Sequence, residues 1–428
     1  MVSMKKKPFE NRIIIIGADH HNTLAAIRAF GREKCELVVI IHGQSLARKK
    51  IQVFSSKYVN KSRTHVIENR IEELIGVLEH YGSADRKDVL FPASDFAEYA
   101  IDSNAVSLSD RFCVPGFLGA PGKVCRMMDK WEQCRFAAEH GFKAPQTFVL
   151  HTTDTEIPPE LTFPCIVKPR ISALGVKTDI RICCDETELR KALTYYSAEN
   201  YPDALVQRFV NKKYEILSMG SIENCNGRRQ IHGGAFIKLR EQLESATSFA
   251  LFAIDNTTPT PACSAASASE LRSKFLLDIT DDAWEKLTQM NREVLQALSQ
   301  MGYSGLYDIE YLLCEDEVFF NEINFRQSGA GYALVNKEIN VPFMWACCVL
   351  GTSCRFQPTK SVEIGTNFMA ELCDIIYVKR RTITMRQWIR DIRKAKAFAV
   401  YDRRDLRAVR KCYWEFAKAI LRRGRCSR

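Results

Sequence analysis

Short apolar runs alternate with amphipathic stretches along the first part of the chain. Arg12–Ile16 is a β-branched run. Gly17 to Asn22 is polar and turn-like, and Leu24, Ala25, Ile27 and Phe30 then recur at helical spacing. Leu37–Ile41 is a second apolar run, Val66–Tyr81 is patterned as a helix, and Val89–Pro92 is a third run. Unbroken apolar runs separated by helices predict a parallel sheet covered on both faces. Such a sheet binds ligands at the carboxyl ends of its strands, which puts Asp95 in a position to touch a substrate. Ser94 or Asp95 is equally suited to cap the helix that follows.

The pattern changes further on. Pro115–Pro121 is a turn-rich connector, and Lys123–His140 is patterned as one helix. Strands are predicted at Thr147–Leu150, Cys165–Lys168 and Ala250–Ile254, with a Thr/Pro/Ala/Ser-rich loop or lid at Thr257–Ser269 and a helix from near Thr280. No internal repeat or low-complexity block interrupts this alternation. The turn after the first run carries one glycine, so the G-x-G-x-x-G dinucleotide fingerprint is missing and a nicotinamide site is disfavoured.

The chain has 428 residues, 46% hydrophobic and 26% charged. Its length suggests two or three domains. No run approaches the roughly 18 apolar residues of a membrane helix. The opening, MVSMKKKPFENRIIIIG, lacks the long apolar region of a signal peptide, so a cytoplasmic location is expected. The sixteen cysteines are scattered without a C-x-x-C pair, and reduced, mostly buried thiols are expected. The net charge of +10 is uneven: Lys379–Arg428 holds 18 Lys or Arg against four Asp or Glu, so this tail carries +14 and the rest −4. The body is therefore not basic, and the charge offers no reason to read it as a nucleic-acid binder.

Candidate chemistry appears in a fixed order. Met127-Met-Asp-Lys130 opens a helix. Phe163-Pro-Cys-Ile-Val-Lys168 puts a lysine at the end of an apolar strand. Ile171–Val176 could cover phosphates. Ala204–Val210 contains Val206-Gln207-Arg208-Phe209-Val210, followed by Glu215. Last come Asp308, Glu310, Glu322, Asn324, Arg326 and Gln327. A turn over Glu315–Glu317 would set two strands side by side; by the period-two rule Asp308 and Glu310 share one face, and Glu322, Asn324 and Arg326 share another. Hard oxygens converging from neighbouring strands suit Mg²⁺, which takes one or two carboxylates and completes its octahedron with phosphates and water. Arg326 offers a fork that can hold a phosphate or carboxylate. Each piece alone is an ordinary surface feature; the ordered set is not.

This ordered set resembles the ATP-grasp superfamily over roughly Arg12 to Asn340, and within it D-aspartate ligase and related amino-acid ligases. The resemblance implies α/β and α+β architecture: a Rossmann-like domain at 1–115, an ATP-grasp domain of two lobes at 116–355, and a basic helical extension at 356–428. It implies ATP and Mg²⁺ (or Mn²⁺) as cofactors. Lys130 and Lys168 would reach the phosphates, backbone groups of Arg208, Phe209 and Val210 beside Gln207 would face adenine, and Glu215 would hold the ribose. Glu310, Glu322 and Asn324 would ligate the metal, and Arg326 and Lys168 would serve catalysis. Asp95, Arg240 and Gln327 are candidate substrate contacts. The implied reaction activates a carboxylate as an acyl phosphate and joins it to an amine. The loop after Lys168 carries one glycine where the family loop is richer, and Asn211-Lys-Lys follows the hinge in place of a glycine turn. These departures admit a different lid geometry, a slow or degenerate enzyme, or an inactive ATP-binding regulator acting through its basic tail; separately, the superfamily offers other outputs, such as carboxylation, carbamoyl phosphate formation or a thiol acceptor. The tail at 379–428 spaces Val409, Tyr413, Phe416 and Ile420 along one helix face among basic groups, which fits packing on the body, an anionic membrane surface at the inner face, or, least of the three, RNA or an acidic partner. A homodimer is common among proteins of this kind.

Overall fold

Ile13 to Ile16 are fully buried because they form the middle of a sheet. The first unit contains β1 (Arg12–Gly17), α1 (His21–Arg32), β2 (Glu36–His42), β3 (Thr64–Ile67), α2 (Ile71–Leu78), β4 (Asp88–Pro92), α3 (Asp95–Ser103), α4 (Ala105–Leu108) and β5 (Phe112–Cys113). Its five strands run parallel in the order β3-β2-β1-β4-β5. The computed structural model describes residues 8–154, 156–171, 180–225, 228–238, 248–252, 277–336, 339–356 and 366–425. Gly17 ends β1 where Thr23 crosses it; a Cβ there would lie 2.3 Å from the Thr23 hydroxyl. The helix expected over Val66–Tyr81 begins only at Ile71. Thr64–Ile67 is instead a strand beside β2, where β-branched residues gain a hydrogen-bonded neighbour.

β6 (Gly116–Phe117) leaves this unit and pairs with a strand of the last sheet. The single helix expected over Lys123–His140 is two: α5 (Lys123–Met127) and α6 (Lys130–Glu139). They break at Asp129, whose extended backbone and side chain cap α6 by accepting from the Trp131 N–H. A small four-stranded antiparallel sheet follows. It comprises β7 (Thr147–His151), β8 (Cys165–Lys168), β9 (Arg181–Cys183) and β10 (Asp203–Arg208), with α7 (Glu186–Ala198) packed on it and strand order β7-β10-β8-β9. Leu189, Ala192, Leu193 and Tyr196 of α7 fill the core beneath.

The last sheet is the largest. β11 (Tyr214–Cys225), β12 (Arg228–Lys238), β13 (Ser248–Phe252), β14 (Tyr303–Cys314) and β15 (Glu317–Asn324) surround α8 (Asp281–Gln300) in the chain. Thr280 caps α8 as its sequence position suggests. α9 (Tyr332–Asn336), α10 (Val341–Val349), β16 (Thr366–Met369), α11 (Glu371–Lys379), α12 (Met385–Lys394), β17 (Ala397–Phe398) and α13 (Leu406–Arg425) complete the chain. The strand order is β15-β14-β11-β12-β13-β16-β17. β13 occupies Ser248–Phe252, shifted from the expected 250–254. Arg240, residues 172–176 of the phosphate-covering loop and the loop at 257–269 lie outside the described residues.

The tail folds back onto the body. β16 and β17 lie at the far side of the sheet from β15, and Ala408, Val409 and Cys412 of α13 are buried. Asp405, just before α13, accepts from Arg28 Nε at 3.0 Å, from the Ser56 hydroxyl and from the Lys57 N–H. Asp402 pairs with Arg32 at 2.8 Å. Further along α13, Tyr413 and Trp414 are exposed, and α12 has no buried residue. Among the described residues no helix is long and apolar enough to cross a membrane. Most described cysteines are free thiols, but the expectation of reduced cysteines fails at Cys348 in α10, which is disulfide-bonded. Sequence spacing carries no sign of this, because the fold alone decides which sulfurs meet.

Candidate active site

The hairpin β14–β15 sets the acidic residues in register. Asp308 faces Asn324 and Glu310 faces Glu322 across the two strands, with a bulge after Glu310. The turn is tight at Glu315, whose φ is 51°. Asn324 Nδ2 lies 3.3 Å from Glu322 Oε1, and Asn321 Nδ2 donates to Glu310 Oε2 at 3.5 Å. Asp308 is the most buried of the group, and its Oδ1 has no hydrogen-bond partner. Burial, then the neighbouring Glu310, pushes its carboxyl up to about 7 against the pull of Arg326 and Lys238. Among the described residues, no three or more His, Cys, Asp or Glu side chains are grouped to enclose an ion by themselves.

Two lysines approach these acids from other elements. Lys130 opens α6, and its ammonium lies 3.5 Å from Glu322. Its N–H donates to the Arg170 carbonyl, while Arg170 pairs with Asp129 and Asp203, so the start of α6 is tied to the chain just past β8. Lys168 ends β8 and is buried, donating to Gln207 Oε1 at 3.0 Å from the adjacent strand β10. Gln207 in turn donates to the Thr147 hydroxyl. Burial first, and the Lys130 cation second, lower the Lys168 pKa, while Glu322 and Glu310 oppose them. Lys168 on the small sheet is therefore within electrostatic reach of the acids on the large one.

The hinge is more constrained than its sequence suggests. The N–H groups of Arg208 and Phe209 donate to the carbonyls of Gln146 and Pro164. These two N–H groups are thus satisfied inside the protein, which leaves the carbonyls of Arg208 and Phe209 and the backbone of Val210 as the hinge groups for a base. The Val210 carbonyl accepts from the Lys212 N–H in a tight turn that replaces a glycine turn. Glu215 is buried and ion-paired with both Lys212 and Lys238. Lys238 ends β12 and was not evident from the sequence. Its signal is its place in the β11–β12 hairpin, where the register Ile216↔Ile237 sets it across from Glu215. Burial lowers the Lys238 pKa first, against Glu310, which raises it.

Arg326 follows β15 and is clamped from the first unit. Its Nε and Nη2 donate to Asp95 at the start of α3, and Nη2 also reaches Asn324 Oδ1 at 3.5 Å. Burial opposes its charge, but Asp95, Asp308 and Glu322 outweigh burial and raise its pKa above the ordinary value. Ser94, not Asp95, caps α3, accepting from the Ala97 N–H. Asp95 is thereby left for Arg326. A cavity between α3, α6 and β15 is lined by Asp95, Glu98, Lys130, Glu322, Asn324 and Arg326, among others. Gln327 lies elsewhere: it is buried beside Tyr307, Gly331 and Val341 in a second cavity, with neither amide atom hydrogen-bonded.

Gln133 on α6 is another residue the sequence did not single out. Its side chain donates to the carbonyls of Met127 and Ile323, at 2.7 and 2.9 Å, and accepts from the Ile323 N–H at 2.7 Å. Ile323 lies between Glu322 and Asn324 on β15, which is the edge strand of the sheet among the described residues. One side chain therefore replaces a missing strand at the residue between two candidate ligands. The available signal was its i+3 spacing from Lys130.

No protein-family model and no curated protein matches the chain by sequence. Solved structures do match its fold. They include a carboxyaminoimidazole ribonucleotide synthase from Aspergillus clavatus in complex with ATP, at 12% identity and a TM-score of 0.57, covering 83% of this chain and 80% of that one. A biotin carboxylase from Campylobacter jejuni matches at 15% identity and a TM-score of 0.58, over 84% and 74% of the two chains. An L-amino acid ligase from Bacillus licheniformis matches at 12% identity and a TM-score of 0.56, over 84% and 80%. The fold is the ATP-grasp fold.

Proposed function

We propose that this chain is an ATP-dependent ligase that joins a carboxylate to an amine through an acyl phosphate, acting on substrates of amino-acid type. The observation that carries this reading is Lys130 beside Glu322, with Lys168 within electrostatic reach of the cross-strand pair Glu310–Glu322. Two carboxylates and an amide suit Mg²⁺, or Mn²⁺ in its place, because such an ion takes its remaining ligands from phosphates and water. The orphaned Asp308 oxygen fits the same view: burial first, and Glu310 second, raise the pKa of a carboxyl that has no hydrogen-bond donor of its own at that atom. The metal would be held by Glu310, Glu322 and Asn324 and would offset phosphate charge.

In this reading Lys130 and Lys168 hold the phosphates. Glu215 reaches the ribose once Lys212 or Lys238 yields, and Val210 supplies the hinge contact to adenine. Arg326, held charged and oriented by Asp95, faces the transferred phosphoryl. A carboxylate oxygen attacks the γ-phosphorus and ADP leaves; the amine nitrogen then attacks the carbonyl carbon and phosphate leaves. The protein's part is position and charge, which dominate phosphoryl transfer. The enzyme is placed in the cytoplasm, with small-molecule partners. Homodimerisation, and an anionic membrane surface for 379–428, belong to the same proposal; α12 supports the latter by exposing Met385 and Ile389 among basic residues.

The test is Mg-dependent ADP release by the purified chain against amino acids, singly and in pairs, with Glu322→Ala as control. Release that needs an added substrate and vanishes in the control supports the ligase. ATP binding without any stimulated release would assign an inactive, ATP-binding regulator. A second reading, carboxylation, draws on the two matched structures named as a carboxylase and a carboxyaminoimidazole ribonucleotide synthase. It predicts that bicarbonate alone stimulates release.

A further inference from the structure

Glu98 differs from every other acid of the site. It lies in the first turn of α3, is 1% exposed, and neither carboxylate oxygen has a hydrogen-bond partner. Burial first, then Asp102 and Asp95, hold its carboxyl well above the usual carboxylate range against the pull of Arg326, whose guanidinium gives its hydrogen bonds to Asp95 and Asn324. Asp95 and Asp102, one turn before and one turn after it, add negative charge. An acid without a partner in such a place is costly, and a purely packing role would be better met by Met, Leu or Gln. Yet Glu98 lines the cavity that also holds Lys130, Glu322, Asn324 and Arg326.

That cavity offers both signs of charge to a small molecule. Arg326, which faces the transferred phosphoryl, also suits the carboxylate that attacks it. Glu98 offers two free acceptor oxygens and suits a cation with several N–H donors. A ligand with a carboxylate and an ammonium a few bonds apart satisfies both, and bicarbonate satisfies only the first.

We propose that Glu98 is the acceptor for the ammonium of an amino acid whose carboxylate is the one activated. This rests on the ligase reading and extends it: α3 of the first unit, through Asp95 and Glu98, would select substrates by their amino group. Asp95 acts through Arg326, whereas Glu98 touches the substrate itself.

The experiment uses the full chain with Mg²⁺ and a non-hydrolysable ATP analogue. Calorimetry compares the common L- and D-amino acids with their des-amino acids, and ADP release is measured in parallel with ATP. The wild type is expected to bind at least one amino acid more tightly than its des-amino counterpart. Glu98→Gln keeps shape and removes charge; it is expected to weaken that amino acid by about 10- to 100-fold and so abolish the preference, because a hydrogen bond to a charged group is worth that much. Glu98→Met, of similar size, should do the same, and binding of the ATP analogue verifies that each variant is folded. A preference that survives both substitutions, or a wild type without one, overturns the proposal even if ADP release supports the ligase. Glu98-dependent amino-acid binding without any ADP release would uphold the site and overturn the ligase.

Discussion

At the residue scale, function in this site comes down to charges whose partners lie on other elements. Glu322→Ala should lower ATP turnover by about 10²–10³, the usual loss when one preorganised electrostatic group is removed, with melting temperature little changed. Steady-state ADP release and a thermal melt check both halves of that statement. Lys168 gives a pH prediction. Burial and the Lys130 cation lower its pKa, so the free enzyme loses this ammonium at a pH below the ordinary lysine range. The alkaline limb of kcat/KM for ATP should therefore fall earlier than a solvent-exposed lysine would allow. Lys130→Met removes the like charge, raises the Lys168 pKa and should move that limb upward while lowering the plateau. A limb that stays in place after Lys130→Met would mean that another group sets it.

Much of this was legible in the sequence because a β-hairpin has fixed arithmetic. Residues two apart share a face, so Glu310, Glu322 and Asn324 could be placed together before any coordinates. The strand-end position of Lys168 followed from the apolar run before it. Glu98, Gln133 and Lys238 escaped, since each gains meaning from a neighbour distant in the chain. Val210 shows the opposite case: the hinge motif was visible, but only the structure shows that the Arg208 and Phe209 N–H groups are engaged.

At the element scale, α6 links two jobs. Lys130 at its start reaches Glu322, and Gln133 one turn later supplies the hydrogen bonds of Ile323. Substituting Gln133→Leu leaves one buried N–H, of Ile323, and two buried carbonyls, of Ile323 and Met127, unpaired. A cost of about 1–3 kcal/mol per group is typical, so chemical denaturation should show a loss of at least about 3 kcal/mol. Because Ile323 sits between two candidate ligands, the Mg²⁺ concentration for half-maximal activity should also rise. Loss of stability with an unchanged Mg²⁺ dependence would confine Gln133 to a structural role. The break between α5 and α6 belongs here as well. Helical periodicity runs through it, and only the cap at Asp129 and its contact with Arg170 reveal the two helices.

At the scale of the whole molecule, the tail is held by buried charge. Arg28 and Asp405 are both fully buried and paired at 3.0 Å. Asp405→Ala strands the arginine, and loss of one partner of a buried pair typically costs about 3–5 kcal/mol. Urea denaturation should show that loss, and a double substitution of Arg28 and Asp405 to apolar residues should recover part of it. β16 continues the large sheet next to β13, so removing the tail also exposes a sheet edge. Membrane association of the tail is therefore better tested by charge reversal at Arg386, Arg390 and Arg393, with vesicles containing anionic lipid, than by truncation.

The sequence by itself determined the layered α/β opening, the acidic hairpin and the order of the candidate phosphate and metal residues, because these depend on short-range periodicity. The tertiary structure alone decided that α3 brings Asp95 to Arg326 and Glu98 into the same cavity, that Gln133 completes the edge of β15, and that Arg28 anchors the tail. Those contacts join residues hundreds of positions apart, and their energies come from burial and pairing, which no local pattern encodes.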